Sequence, residues 1–437
     1  MLKRTLAVLI ALLMIAAVFA GCNKAGKTET TDPPSVDENV GTEDTGKDTQ
    51  PAAEKESIVF GGVRSQSGVF ATFDETAFGP CYRMWADKVN AEGGIYVEEY
   101  GKKLPVELII YDDKSDMATM TRLYEKLILE DKVDFLLPPV STAFLYATAP
   151  IADKHGYLLI GAEGGSTTLL DSIAQYPGFF SVLNFSVTQV PALVDILVEN
   201  EIESAYIVYI EDLHGTEYSG ASKPALEEVG IEVHGMKAIP PDIQDMTSII
   251  NDAIDSGADA FLLFAYPDQN FLAMNQAMAM GYNPDVFLVG PGGNFEFIKG
   301  VFGGAEAVEG LMSWGGWNEK SSEKAAQFAK EFLEYNKDDP KVSIDWWGHL
   351  PYYTGLEMLQ QAIEKAGTLD NARVIEVLKS EKFDTVMGEV WFENQLLASE
   401  CYLGNVGQWQ NGIFEVIDVG ENRTADPIVP KPAWPAE

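Results

Sequence analysis

The chain has 437 residues, 46% hydrophobic and 22% charged, with 30 Lys+Arg against 67 Asp+Glu and a formal net charge of -37. Such a length and apolar content describe a folded chain with core enough for two or three units, while the charge repels phosphate backbones and anionic headgroups and so excludes nucleic-acid binding and adsorption through a basic patch. Three Cys exclude a disulfide framework and a four-thiolate zinc site.

Lys3 and Arg4 precede a 15-residue apolar run from Leu6 to Ala20. The run is short of the ~20 residues that span a bilayer and is followed by small residues, so residues 1–21 read as a cleaved secretory signal. Phe19-Ala20-Gly21-Cys22 resembles a bacterial lipobox, with Phe19 in place of the usual Leu; the resemblance implies lipidation of Cys22 and an extracytoplasmic protein held to the membrane by that anchor. Residues 23–56 hold four Lys, nine Asp+Glu and no aromatic residue. Such a segment cannot bury enough apolar surface to order itself and reads, with Cys22, as an acidic tether over 22–56. As a flexible coil it would reach about 30 Å.

Ser57–Val63, Val106–Tyr111, Asp134–Leu137 and Tyr157–Ile160 are continuous apolar runs with helical patterns between them. Such strands suit a parallel sheet covered on both faces. The helix after the first strand carries Phe78, Tyr82, Trp85, Ala86 and Val89 and stops at Gly93-Gly94. The alternation resumes after Asn184, with strands at Ala205–Tyr209, Ile231–Val233, Ala260–Phe264 and Val286–Val289 and a helix from Asp268 to Met280 among them. The pattern predicts an α/β protein with two doubly wound parallel-sheet lobes, whose ligands bind at the carboxyl ends of strands. After Trp314 come three helices, near Ser322–Asn336, Trp347–Lys365 and Asp370–Ser380, and short strands around Val390 and Ile413. A helical segment placed after both lobes must pack on one of them, so the chain crosses between lobes more than once.

Several motifs in this order resemble the leucine/isoleucine/valine-binding family of extracytoplasmic solute receptors. They are Ser67-Gly68, Val89-Asn90-Ala91-Glu92-Gly93-Gly94-Ile95, Tyr111-Asp112-Asp113, Pro138-Pro139-Val140-Ser141-Thr142, Tyr266-Pro267-Asp268 and Ala362-Ile363-Glu364-Lys365-Ala366-Gly367. The resemblance covers nearly all of 57–420 and implies the type I periplasmic binding-protein fold with a three-crossover hinge. It implies an N-lobe over 57–184 plus 315–395 and a C-lobe over 185–314 plus 396–437. It also implies a monomer without a cofactor that delivers a small amino acid or other carboxylate to an ABC permease.

By the same resemblance the ligand carboxylate is held by Ser141 and Thr142, where a helix N-terminus adds partial positive charge, and by Gly164, Gly165 and Ser166. Helix capping for the hydroxyls and a plain turn for the glycines are the structural alternatives. Ser67, Tyr266 and Asn294 join the expected site, and Phe73 matches an aromatic wall. The family's two ammonium-binding carboxylates fall at Ser186 and Gly292, so both are missing. A buried ammonium without a carboxylate is costly. Either Asp268, Glu296 or Glu163 substitutes, or the ligand is not an α-amino acid; the second is expected, with weak or no binding of leucine, isoleucine and valine.

No Gly-x-Ser-x-Gly elbow or His-Glu-x-x-His helix is present, and His155, His214, His234 and His349 are far apart in sequence and expected at the surface or at helix ends. An enzyme is not expected. Asp112, Asp113 and Asp116 lack a calcium-loop spacing and read as helix-capping groups, so no metal is expected. Cys81 and Cys401 are expected as free thiols. A sensing ectodomain that signals through a membrane partner is the alternative to transport.

Overall fold

Ile58–Arg64 (β1) is the central strand of the first lobe in the computed structural model, which describes residues 55–435. The signal, Cys22 and the tether up to residue 54 lie outside the described residues. Lys55, where the description begins, pairs with Asp134 at 2.7 Å.

The first lobe contains β1, the hairpin Ile95–Val97 (β2) and Lys102–Leu104 (β3), Val106–Asp112 (β4), Phe135–Leu136 (β5), Leu159–Gly161 (β6) and Phe179–Ser181 (β7). β1 runs parallel to β4, with Ile58 opposite Val106 and Arg64 opposite Asp112, and parallel to β5. Helices Gly79–Ala91 and Met117–Lys126 follow β1 and β4. The first buries Tyr82, Trp85 and Val89, the face its apolar spacing predicts.

The second lobe is one seven-stranded sheet. Ser204–Ile210 (β8), Glu232–Ile239 (β9), Ala260–Phe264 (β10), Val286–Val289 (β11) and Met312–Trp314 (β12) pair in parallel in the order β9-β8-β10-β11-β12. β10 and β11 are buried at every position, which is why their sequences are unbroken apolar runs.

The last third of the chain returns to both sheets. Helices Glu323–Tyr335, His349–Ala366 and Asn371–Ser380 lead to Lys382–Thr385 (β13), Gly388–Glu393 (β14) and Leu396–Leu397 (β15), and β15 joins β7. Val406–Gln410 (β16) and Ile413–Val416 (β17) then form the antiparallel edge of the second sheet. The break expected after Gln395 thus leaves out Leu396–Leu397, which pair in the first lobe. The chain passes between lobes three times, and hydrogen bonds tie the passages together. Asn184 accepts from Trp347 Nε1 at 2.7 Å and donates to Asn405 Oδ1 at 2.8 Å, and the Gly315 amide donates to the Asn405 carbonyl at 3.1 Å.

Asp116 caps its helix through the Thr119 amide, Asp112 accepts from Ser67 and Lys114, and Asp113 accepts from Ser65 and Ser115. Each of the three acids thus accepts from protein donors. Cys81 and Cys401 are buried free thiols.

Candidate functional site

A cavity lies where the lobes meet, with residues of both in its wall. The first lobe supplies Phe73, Phe78 and the loops around Ser141 and Glu163; the second supplies His214, Tyr266 and Pro291; Leu183, Asp345 and Trp347 come from the connecting segments. Phe73 and Phe78 open and close a π-helical turn, Phe73–Phe78, that runs into helix Gly79–Ala91. π-Helical turns recur at functional sites because the extra residue re-aims side chains. Here the turn puts Phe73 against Tyr266 and Phe295 of the second lobe, with ring centroids 6.0 and 6.1 Å apart.

One end of the cavity is rich in hydrogen-bond donors. Helix Thr142–Lys154 begins at the wall, capped by Ser141, which accepts from the Phe144 amide at 3.4 Å and holds φ at 76° and ψ at 153°. That backbone conformation is unfavourable for a side chain with a Cβ, and strain of this kind collects at functional sites. A Cβ on Gly164 would come within 2.8 Å of Leu145 and 3.0 Å of the Thr142 Cα, so glycine lets the two loops close on each other. Beside Gly165, Ser166 is fully buried and its Oγ has no partner among the described residues. Buried polar groups are normally paired, so this hydroxyl has spare donor capacity.

Beneath this wall lies Arg64, the last residue of β1, with no exposed surface. It donates to Asp74 at 2.8 Å and to the Pro138 carbonyl at 2.7 Å, and pairs with Glu163. Its guanidinium faces the rings of Phe78, Tyr82 and Tyr352 at 5.7–5.9 Å. A planar fork with several donors suits such a junction. One side chain thereby positions the π-helical turn, the loop before Ser141 and the loop before Gly164.

The lining also carries two acids. Glu163 gives one oxygen to Arg64, while burial raises its carboxyl above the ordinary carboxylate range although the guanidinium pulls the other way. Asp345 is 2% exposed; its Oδ1 accepts from the Trp347 and Gly348 amides at 2.8 and 2.9 Å and from Asn294 Nδ2 of the second lobe. Burial pushes the Asp345 carboxyl up to about 6, against the pull of those donors. His214 stacks on Tyr266 at 5.2 Å, and its burial lowers its proton affinity, leaving a neutral ring.

Of the residues expected from sequence, the cavity gathers Phe73, Ser141, Thr142, Gly165 and Tyr266. The rest, Ser166 among them, do not line it. Ser67 turns to Asp112, with Oγ 2.7 Å from Oδ2. Gly164 packs against Leu145 and Leu169 behind the wall. Ser186 starts helix Ser186–Glu199 and bonds Thr167. Gly292 makes a turn at φ 100°, its amide donating to Asn294 Oδ1 at 2.9 Å, and Asn294 reaches the site only through Asp345. Among the three substitute acids, Asp268 is exposed and Glu296 is taken by Lys299 and Trp346, so only Glu163 is at the wall. His214 and His349 stand in the first turns of their helices, at helix ends as expected, and both are buried there. Arg64, Phe78 and Asp345 escaped sequence reasoning. An arginine ending an otherwise apolar strand is the one signal that could have been read.

A family model for periplasmic binding proteins matches residues 57–412. The leucine-, isoleucine-, valine-, threonine- and alanine-binding protein of Pseudomonas aeruginosa is 22% identical over 315 residues, covering 71% of this chain and 79% of that protein. Among solved structures, a leucine binding protein from Thermotoga maritima superposes with a TM-score of 0.69 at 20% identity, over 82% of this chain and 98% of that one. A solute binding protein of an ABC transporter from Rhodopseudomonas palustris, in complex with 3,4-dihydroxybenzoic acid, gives 0.70 at 16% identity, over 86% of this chain and 98% of that one. With two parallel-sheet lobes around a shared cavity and a family match over 57–412, the chain belongs to the periplasmic binding protein family and has its type I fold.

Proposed function

We propose that the protein is an extracytoplasmic receptor, anchored through Cys22 and not catalytic, that closes an N-lobe and a C-lobe over a small carboxylate-bearing solute and presents it to an ABC permease. The observation that carries this reading is the cavity walled from both lobes, with the N-terminus of helix Thr142–Lys154 and the Ser141–Thr142 hydroxyls at one end. A helix N-terminus with free amides favours an anion, and Ser166, next to the lining Gly165 though not itself in the wall, holds a further unpaired hydroxyl. Contacts to the solute from both lobes stabilise the closed arrangement over an open one, which is how binding becomes a change of shape that a partner can read. The relatives' names fit this reading: one is named for binding leucine, isoleucine, valine, threonine and alanine, and another holds 3,4-dihydroxybenzoic acid.

A thermal-shift screen of amino acids, aromatic acids, amides and short carboxylates tests the reading, because a ligand that binds only the folded state raises the melting temperature. At least one carboxylate is expected to do so, and Ser166→Ala to reduce that shift. Stabilisation by amides and not by any carboxylate would overturn it.

A further inference from the structure

Asp345 has one oxygen satisfied and one free. Oδ1 takes three donors, from the Trp347 and Gly348 amides and from Asn294; Oδ2 has no donor among the described residues. A Cβ placed on Gly348 would lie 2.8 Å from Oδ2 and 2.7 Å from Phe78. Glycine at that position of the cavity wall therefore keeps the oxygen uncovered. Neither lysine nor arginine lines the cavity among the described residues. Arg64, beneath the wall, is already divided between Asp74 and Glu163. Asp345 thus has no cationic partner in the wall, and a solute carrying only negative charge would bring it none. Buried charge of one sign is unfavourable unless a counter-charge is supplied, and the aromatic faces of Phe73, Phe78 and Tyr266 also favour a cation.

We propose that Asp345 Oδ2 accepts a hydrogen bond from a protonated nitrogen of the solute, so that the receptor takes a carboxylate that also bears an ammonium or amidinium group. This rests on the receptor reading above. The position differs from Ser186 and Gly292, where the two missing ammonium carboxylates were sought. Asp345 is also held by Asn294 of the second lobe, so the same carboxylate joins the solute's cation to the meeting of the lobes.

Three probe sets separate the possibilities by calorimetry: leucine, 2-hydroxy-4-methylpentanoate and 4-methylpentanoate; phenylalanine, 3-phenyllactate and 3-phenylpropanoate; 4-(aminomethyl)benzoate, 4-(hydroxymethyl)benzoate and 4-methylbenzoate. In at least one set the amine is expected to bind ten times or more tightly than both relatives. Asp345→Asn, which keeps an acceptor for the two amides, is expected to abolish that preference. Equal or tighter binding of the hydroxyl or unsubstituted acid overturns the inference and leaves the receptor reading standing, as does an amine preference that survives in Asp345→Asn. If none of the nine compounds binds, the inference falls and the receptor reading is decided by the wider thermal-shift screen. The comparison within wild type stands even if the variant does not fold.

Discussion

Glu217, on the second lobe, accepts the backbone N–H of Thr168, on the first, with its two carboxylate oxygens at 3.0 and 2.9 Å. Thr168 opens helix Thr168–Gln175, so a carboxylate of one lobe caps a helix of the other. The bond exists only while the lobes are together. Hydrogen bonds to charged groups contribute about 1.5–3 kcal/mol, and a helix N-terminus favours an anion.

Glu217→Ala is therefore expected to weaken solute binding by about tenfold or more, with little change in the stability of the separate lobes. Calorimetry with a ligand from the thermal screen measures the first effect. Small-angle scattering measures a shift of the unliganded population towards open forms. Unchanged affinity and scattering would show that the contact does not govern closure.

Ser141 and Ser166 differ in what they do without a ligand. Ser141→Ala removes a helix cap and is expected to lower stability by about 1 kcal/mol, whereas Ser141→Gly relieves the positive φ and is expected to be nearly neutral. Ser166→Ala deletes a hydroxyl that has no partner and should leave the melting temperature within a degree or two. All three are expected to weaken carboxylate binding more than tenfold. Loss in Ser141→Ala alone would assign that serine a structural role only.

Arg64→Met leaves Asp74 and Glu163 buried without their cation. Breaking a buried ion pair from one side typically destabilises by about 3–5 kcal/mol, so a large fall in the urea midpoint is expected. Arg64→Lys keeps the charge but loses the fork that also reaches Pro138, and should fall between. A midpoint in Arg64→Met equal to wild type would refute the organising role of this residue.

His349 should make the protein sensitive to mild acid. It is packed against the rings of Phe78 and Phe332 and accepts from the Asp345 amide at 3.3 Å, and burial depresses it from 6.5 to about 3. Below 6.5 the unfolded chain takes up a proton at this ring that the folded chain refuses. Stability present above pH 6.5 is thus lost as pH falls towards 3, at about 1.4 kcal/mol per pH unit. Between pH 6.5 and 5, wild type is expected to lose about 2 kcal/mol more than His349→Gln in urea titrations. Parallel losses in the two proteins would count against a neutral buried His349.

Much of the fold is legible in the sequence because parallel strands buried on both faces leave unbroken apolar runs, as Ala260–Phe264 and Val286–Val289 do. The donor-rich end of the cavity is legible for a different reason: Ser141, Thr142 and Gly165 belong to loops that follow strands directly, where local order is a guide to place. The places of Asp345, His214 and Arg64 are not. Asp345 acquires its position from an antiparallel bridge to Phe295, 50 residues away, and His214 from the packing of its helix between the lobes. Arg64 is charged where the pattern calls for an apolar residue, and its meaning depends on Asp74, Pro138 and Glu163 converging from three loops. Asp345 also reopens the question of amino acids, which the missing acids at Ser186 and Gly292 had seemed to close.

The three passages between lobes have a consequence for the protein's resistance to proteolysis. Each is a covalent link in parallel with the other two, and Asn184, Asn405 and Trp347 bind them to one another. A protease that cuts one passage leaves two intact, and the severed ends remain paired within their own sheets. The nicked protein keeps its cavity between the same two walls, and two further cuts are needed before the lobes can separate.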